Sequence, residues 1–151
     1  MADAPQDVRL ITVRAGSQDF GIDMLAVREI RGWSEPTPLP QAPSYVRGMV
    51  QLRGVVIPVI DLGDRLGLGA AAPTAKSVLV VVERNGQLVG LLVDSVSDLV
   101  VLPQASLQPA PQLHGNPATA FVAATVALEG RILGALRLDS VIPDLSAAAA
   151  A

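Results

Sequence analysis

The chain has 151 residues and a formal net charge of −3; half of it is hydrophobic, yet only one Trp, one Tyr and two Phe are aromatic. Its eleven Lys and Arg are scattered singly, so no basic stripe exists to displace counterions from phosphates, which argues against nucleic acid as a partner. The absence of cysteine excludes disulfides, thiolate chemistry and zinc–sulfur sites.

That length suits one ordinary domain or two very small ones sharing a core. Met1–Leu10 is polar and acidic with no apolar stretch, so no signal peptide is read there. The longest apolar runs, Val78–Val82 and Val55–Ile60, fall far short of the roughly 18 residues a membrane span needs. A cytoplasmic protein is expected. The Ala147–Ala151 run reads as a tail without a role.

In chain order, Leu10–Val13 and Gln18–Ile22 read as a strand pair around a turn at Gly16. Asp23–Arg31 reads as a short helical segment, because Met24, Val27 and Ile30 are spaced by three, and Gly32 ends it. The prolines at 36, 38, 40 and 43 make an extended loop. Tyr45–Leu52 and Val55–Asp61 form a hairpin across Arg53-Gly54, with Pro58 placing the return strand at an edge or a bulge. Residues 67–75, rich in Gly, Ala and Pro, read as a linker. Val78–Glu83 and Leu88–Val93 flank Asn85-Gly86, a strong hairpin signal. Asp94–Leu99 is a helical turn or a bent strand entry, and Pro103–Pro117 is a second long loop. Phe121–Leu128 and Arg131–Leu138 make a fourth hairpin across Glu129-Gly130, and Asp139–Leu145 closes the chain.

The order of elements repeats, and so do residues. Shifted by 69, Gly21, Val27, Glu29 and Ile30 fall on Gly90, Val96, Asp98 and Leu99. Shifted by 76, Val46, Val50, Leu52, Gly54 and Leu62 fall on Val122, Val126, Leu128, Gly130 and Leu138, and Tyr45 falls on Phe121. Each half is too small to bury much alone. The expected fold is mainly β, with two pseudo-symmetric SH3-like barrels packed around a shared hydrophobic core and short helical segments between strands. Residues 7–146 are read as a single domain, with the first barrel over about 7–70, the second over about 76–146, and terminal strands free to cross over.

No catalytic constellation emerges. The sole histidine, His114, stands in a loop beside Gly115 and reads as a solvated surface residue. Asp61 with Asp64, and Asp94 with Asp98, lie beside strand ends and read as caps of turns or helices. No cofactor, metal or catalytic residue is assigned. Two exposed features point to binding. Arg53 at a hairpin tip corresponds, in the repeat, to Glu129; two readings stand open, that both charges simply keep the turns in water or that the guanidinium presents a fork of donors to a partner. Val27-Arg28-Glu29-Ile30-Arg31 alternates apolar and charged residues, with Val27 and Ile30 readable as core or as contact.

At these residues the chain resembles the CheW-type chemotaxis coupling family. Phe20-Gly21-Ile22-Asp23 with Val27-Arg28-Glu29-Ile30-Arg31-Gly32-Trp33 is similar to the family's first signature. Gln51-Leu52-Arg53-Gly54 through Leu62 is similar to its central hairpin, with Gln51 where many members have Asn. Val89–Leu99, with Pro109-Ala110-Pro111 later, is similar to its second-barrel signature. The resemblance runs from about Leu10 to Leu145. It implies two five-stranded barrels and a non-catalytic adaptor that couples the cytoplasmic tips of chemoreceptors to the regulatory domain of a CheA-type histidine kinase, recruited to membrane-associated receptor arrays. By matching positions it implies that Val27, Glu29, Ile30 and Arg53 face the receptor; kinase-facing residues are not singled out. Three other readings stay open: the same adaptor in a pathway for pilus or gliding motility or biofilm; a regulatory domain belonging to a kinase, or a fusion; and, more remotely, a small barrel enzyme or ligand-binding protein.

Overall fold

The computed structural model describes residues 7–109 and 120–142. His114, the later part of the Pro103–Pro117 loop, the closing residues after Ile142 and the alanine tail lie outside the described residues. Eleven strands and two four-residue helices are described: β1 (Asp7–Ala15), β2 (Gln18–Asp23), β3 (Val27–Gly32), β4 (Val46–Leu52), β5 (Val55–Asp61), α1 (Leu62–Arg65), β6 (Val78–Arg84), β7 (Gln87–Val93), β8 (Ser95–Pro103), β9 (Gln108–Pro109), β10 (Val122–Leu128), β11 (Arg131–Leu136) and α2 (Leu138–Val141). Single 3₁₀ turns precede β3 and follow β8. The mainly β architecture of two pseudo-symmetric barrels is the one observed.

All four hairpins close with two-residue turns in which both residues have positive φ: Gly16-Ser17, Arg53-Gly54, Asn85-Gly86 and Glu129-Gly130. This type I′ geometry matches the right-handed strand twist. The strands then assemble into two sheets, ordered β8-β1-β2-β11-β10-β9 and β3-β6-β7-β5-β4. Each sheet closes on itself. In the first, the chain leaves β8, makes a 3₁₀ turn at Gln104–Ser106 and returns as β9 beside β10. In the second, the segment after β3 comes back to β4, where Thr37 and Met49 exchange two hydrogen bonds of 2.8 Å.

Sheet membership does not follow the sequence halves 7–70 and 76–146. The first hairpin of the first repeat, β1–β2, sits with β10–β11 of the second, and β6–β7 sits with β4–β5. Two short parallel pairings make the exchange: Val59–Asp61 against Gly90–Leu92, and Gly134–Ala135 against Phe20–Gly21. The offsets of 69 and 76 map one pairing onto the other, and the second offset also maps α1 onto α2.

Alternation along the strands sorts the core. On β6, Val80 and Val82 join a large cluster drawn from both sheets, with Phe20, Ile22, Ile60, Leu62, Leu91 and Val141. Leu79 and Val81 face the other way, into small clusters within their own sheet. Leu10, Leu102, Val126 and Leu133 fill the six-stranded sheet in the same manner. A strand buried on both faces needs no polar alternation, which is why Val78–Val82 reads as an unbroken apolar run.

Two buried or half-buried polar groups hold the joints. Asp61 is fully buried: its Oδ1 accepts the Asp64 N–H at the start of α1 (3.2 Å), its Oδ2 accepts the Ala71 N–H (2.8 Å), and Arg47 Nη1 lies 3.7 Å away. The cap expected for Asp61 with Asp64 is therefore present. Arg65 crosses between the repeats. Its guanidinium carbon is 4.4 Å from the Tyr45 ring centre and 4.8 Å from that of Phe121. Nε and Nη2 donate to the Val141 and Ser140 carbonyls at the end of α2, each at 2.9 Å.

One expectation is corrected, and two open readings are decided. Only Met24–Ala26 is helical, as a 3₁₀ turn capped by Asp23, whereas Val27–Gly32 is a strand paired with β6. The cause is a β-bulge: Val27 opposes Val82 and Ile30 opposes Val80, so three steps on β3 match two on β6. The bulge puts two residues spaced by three on one face of a strand, imitating a helical period. Of the two readings of Asp94–Leu99, the bent strand entry is the one observed: β8 begins at Ser95 and bulges between Val96 and Leu99, so the second Asp pair has no helix to cap. Asp98 instead binds through its main chain, its N–H and carbonyl both pairing with the Thr12 hydroxyl. Of the two readings of Pro58, the edge is excluded, because β5 runs between β7 and β4; a bulge does lie one step on, where Val46 and Gly48 oppose Ile60 and Val59, and the parallel pairing with β7 begins at Val59.

Gly48 (φ +141°) lies where a Cβ would run into the Thr37 carbonyl that closes the barrel, whereas a Cβ on Gly32 meets nothing within 4 Å. Gly48→Ala is expected to cost about 3 kcal/mol in urea unfolding and Gly32→Ala to leave stability within ~0.5 kcal/mol; equal effects would refute this account of closure. Arg65→Met, which keeps the stem and loses the fork, is expected to cost about 2 kcal/mol by the same measurement.

Candidate interaction site

The β4–β5 turn forces Arg53 to φ +52° and Gly54 to φ +81°. Asn-Gly satisfies such a turn with little strain, as at Asn85-Gly86. An L-residue with a long side chain is disfavoured in this region by about 1 kcal/mol. Arg53 therefore stands where backbone preference argues against it, which motivates a role outside folding.

Its side chain is 76% exposed, and Nη1 reaches Glu29 Oε1 at 3.0 Å. Arg31 Nη1 takes the other oxygen, Oε2, at 3.2 Å. Glu29 is on β3 and Arg53 follows β4, the two outermost strands of the five-stranded sheet. The pair thus spans the mouth of that barrel. Glu29 is only 21% exposed while Arg31 is 48% exposed. The result is one acid held between two cations, with a net positive rim.

Of the four residues implied as receptor-facing, the structure brings Glu29 and Arg53 into contact. Val27 and Ile30 lie on the opposite face of β3, because their partners Val82 and Val80 belong to the cluster between the sheets. Val27 is half-buried against that cluster, which answers the core reading, and Ile30 is exposed. Arg31 was not read as part of the site. The missed signal is parity: Glu29 and Arg31 are two apart, so on a strand they share a face, and reading the segment as helical hid this. Exposed Val55 and Val56 sit directly after the turn.

Two cavities lie elsewhere. One of about 350 Å³ is lined mainly by Gly and Ala of residues 15–16, 63 and 69–72, with Asp94 its only titratable side chain. The other, about 310 Å³, opens at the mouth of the six-stranded barrel and includes Asp19, Asp98 and Glu129. Among the described residues no cluster of His, Cys, Asp or Glu could hold a metal ion, and no helix is long and apolar enough to cross a membrane.

Comparison with known proteins supplies the family. Residues 9–146 match the CheW-like domain. The chain belongs to the CheW-like domain family. It is 44% identical over 134 residues to the chemotaxis protein CheW of Rhizobium meliloti, covering 89% of this chain and 86% of that one. It is 32% identical over 127 residues to the CheW of Klebsiella aerogenes (84% and 76% covered) and 30% identical over 129 residues to protein FrzA of Myxococcus xanthus (85% and 80% covered). Among solved structures it superposes on the scaffolding protein TtCheW from Thermoanaerobacter tengcongensis with a TM-score of 0.84 and 27% identity, covering 95% and 92% of the two chains. The sequence resemblance to this family is therefore confirmed.

For this CheW-like chain, the strained turn makes a direct prediction. Arg53→Asn relieves the turn and gives up only an exposed ion pair, so stability should rise by about 0.5–1 kcal/mol. Thermal or urea unfolding checks it; a clear loss of stability would show that the Arg53–Glu29 contact holds the barrel together.

Proposed function

We propose that this protein is a non-catalytic adaptor that couples the cytoplasmic tips of chemoreceptors (methyl-accepting chemotaxis proteins) to a CheA-type histidine kinase in chemotaxis signalling. The observation that carries the reading is Arg53: an exposed guanidinium held on a disfavoured turn, braced by Glu29 and Arg31, beside exposed Val55 and Val56. A fork of fixed donors flanked by apolar side chains suits docking on a helical partner, whose carboxylates or free carbonyls accept from it. The relatives named as chemotaxis proteins, and a structural neighbour described as a scaffolding protein, support the same role. Val27, Glu29, Ile30 and Arg53 are proposed as the receptor-facing set, with Glu29 and Arg53 supplying contact at the barrel mouth, Ile30 exposed on the other face of β3, and Val27 setting the strand through the core. The protein then works in the cytoplasm, at the receptor arrays of the membrane, by fixing geometry and not by turnover.

A second reading keeps the adaptor role and changes the pathway to one governing pilus-based or gliding motility or biofilm. It is favoured by one observation: the relative FrzA does not carry a chemotaxis name.

Titration of the protein against a receptor signalling-tip fragment and, separately, against a CheA-type regulatory domain tests the proposal. Wild type is expected to bind both. Arg53→Glu should weaken receptor-tip binding at least tenfold, a loss of about 1.4 kcal/mol, and leave the fold unchanged by circular dichroism. The adaptor reading fails if wild type binds neither partner, and the Arg53 assignment fails if the variant binds the tip as well as wild type.

A further inference from the structure

Arg65 stands where the two repeats meet. At the offset of 76 Tyr45 is equivalent to Phe121 and Asp61 to Arg137. The main chain treats both pairs alike: the Asp61 N–H donates to the Tyr45 carbonyl and the Arg137 N–H to that of Phe121, each at 2.7 Å. Both rings pack against the cluster between the sheets. One guanidinium lies over the two of them, 4.4 and 4.8 Å from their centres. A group almost equidistant from two equivalent rings lies near the axis that relates the barrels.

From that place it ties one sheet to the other. Arg65 ends α1, which follows β5 of the five-stranded sheet, whereas Ser140 and Val141 end α2, which follows β11 of the six-stranded sheet. Its Nε and Nη2 donate to the Val141 and Ser140 carbonyls. A second arginine makes a like connection: Arg84, the last residue of β6, pairs with Asp139 on α2. So α2 is joined to its own sheet by the chain and to the other sheet by two arginines. Apolar packing is non-directional and sets how close the sheets lie. A planar fork on two carbonyls is directional and sets the angle between them. The lever is long. From Tyr45 to the Arg53 turn, and from Phe121 to the Glu129 turn, the strand runs roughly 25 Å, so a rotation of ~5° at the axis moves a tip by about 2 Å. That displacement is enough to break a hydrogen-bonded contact with a partner.

We propose that Arg65 is a positioning residue: it fixes the angle between the two barrels, and the adaptor passes receptor state to the kinase only while that angle is fixed. The second clause rests on the adaptor reading; the first rests on geometry alone. Arg65 lies beside Tyr45, at the opposite end of β4 from Arg53, and acts through α2. Partners bound on the two barrels keep their mutual register when the barrels form one rigid body. With the joint loosened, each partner still binds, but movement of one no longer dictates the position of the other.

Pulsed electron-spin distance measurement on the full chain tests the geometry. The chain has no cysteine, so spin labels go at Gln51→Cys and Ala127→Cys, exposed positions on β4 and β10 that are equivalent at the offset of 76. Otherwise unaltered, this labelled chain should give one narrow distance distribution. Arg65→Met should widen it at least twofold. Arg65→Lys keeps a charge near both rings but has no fork, and should widen it too. Leu79→Ala opens a cavity in a cluster within the five-stranded sheet, which destabilises the fold without touching the joint, and should leave the distribution narrow. The narrow width in either Arg65 variant, or equal widening by Leu79→Ala, overturns the proposal. For the consequence, receptor-dependent autophosphorylation of a CheA-type kinase should fall at least tenfold with Arg65→Lys, while its Kd for the receptor-tip fragment and for the kinase regulatory domain stays within twofold of wild type. Undiminished activation overturns the proposal. Wild type that binds neither partner refutes the adaptor reading instead, and the label distances then decide the role of Arg65 in the angle by themselves.

Discussion

The structure depends on two short parallel pairings, Val59–Asp61 with Gly90–Leu92 and Phe20–Gly21 with Gly134–Ala135. Each joins a hairpin of one repeat to a hairpin of the other. Parallel neighbours cannot be linked by a tight turn, so they must come from distant chain segments. Neither repeat can complete a sheet from its own strands. The two halves therefore fold as one cooperative unit, although each could pass for a small domain in the sequence. The large cluster between the sheets follows, since Val80, Val82 and Leu91 of one sheet meet Phe20 and Ile22 of the other only once both pairings have formed.

Arg65 marks the place where the pseudo-symmetry must break. Tyr45 and Phe121 are equivalent by the repeat, and a single guanidinium lies against both rings. Its counterpart at the offset of 76 is Val141, whose carbonyl accepts from Arg65. Two arginines in that place would repel and could not both reach the last carbonyls of α2. Duplication supplies two equal positions; one cation and one acceptor use them better. The same logic applies to the barrel mouths. Glu29 with Arg53 makes a closed mouth, whereas Asp98 with Glu129 makes an acidic one, so a symmetric frame carries two surfaces of opposite character.

Much of this was legible in the residues. The four turns are written in Gly16, Arg53-Gly54, Asn85-Gly86 and Glu129-Gly130, and the offsets of 69 and 76 bring strands, bulges and helices into register. The β3 segment was not, because a bulge places Val27 and Ile30 on one face at a spacing that a helix would also produce. Pro58 left an edge or a bulge open, because a missing N–H suits either, and nothing local tells that β5 is an inner strand with the bulge one step on. The exchange of hairpins had no local signature at all. Both repeats carry nearly the same strand pattern, so sequence alone fits a barrel made within each half as well as one shared between them. The contact between Glu29 and Arg53 was hidden likewise, since it joins opposite edges of a sheet and appears only when the sheet curls shut.

The exchange also bears on how an adaptor could carry a signal. The Arg53 turn and the Glu129 turn belong to different sheets, yet each sheet contains strands from both repeats. A partner pulling on the β4–β5 hairpin draws directly on β7, whose own return strand β6 has both faces packed, one into the common core and one into its barrel. Close-packed interiors give way little under such a load, because displacing one methylene opens a cavity or forces an overlap. With Arg65 linking α1 to α2 across the same core, the two tips are held at a fixed separation and orientation. A force at one rim therefore arrives at the other as movement of the whole body.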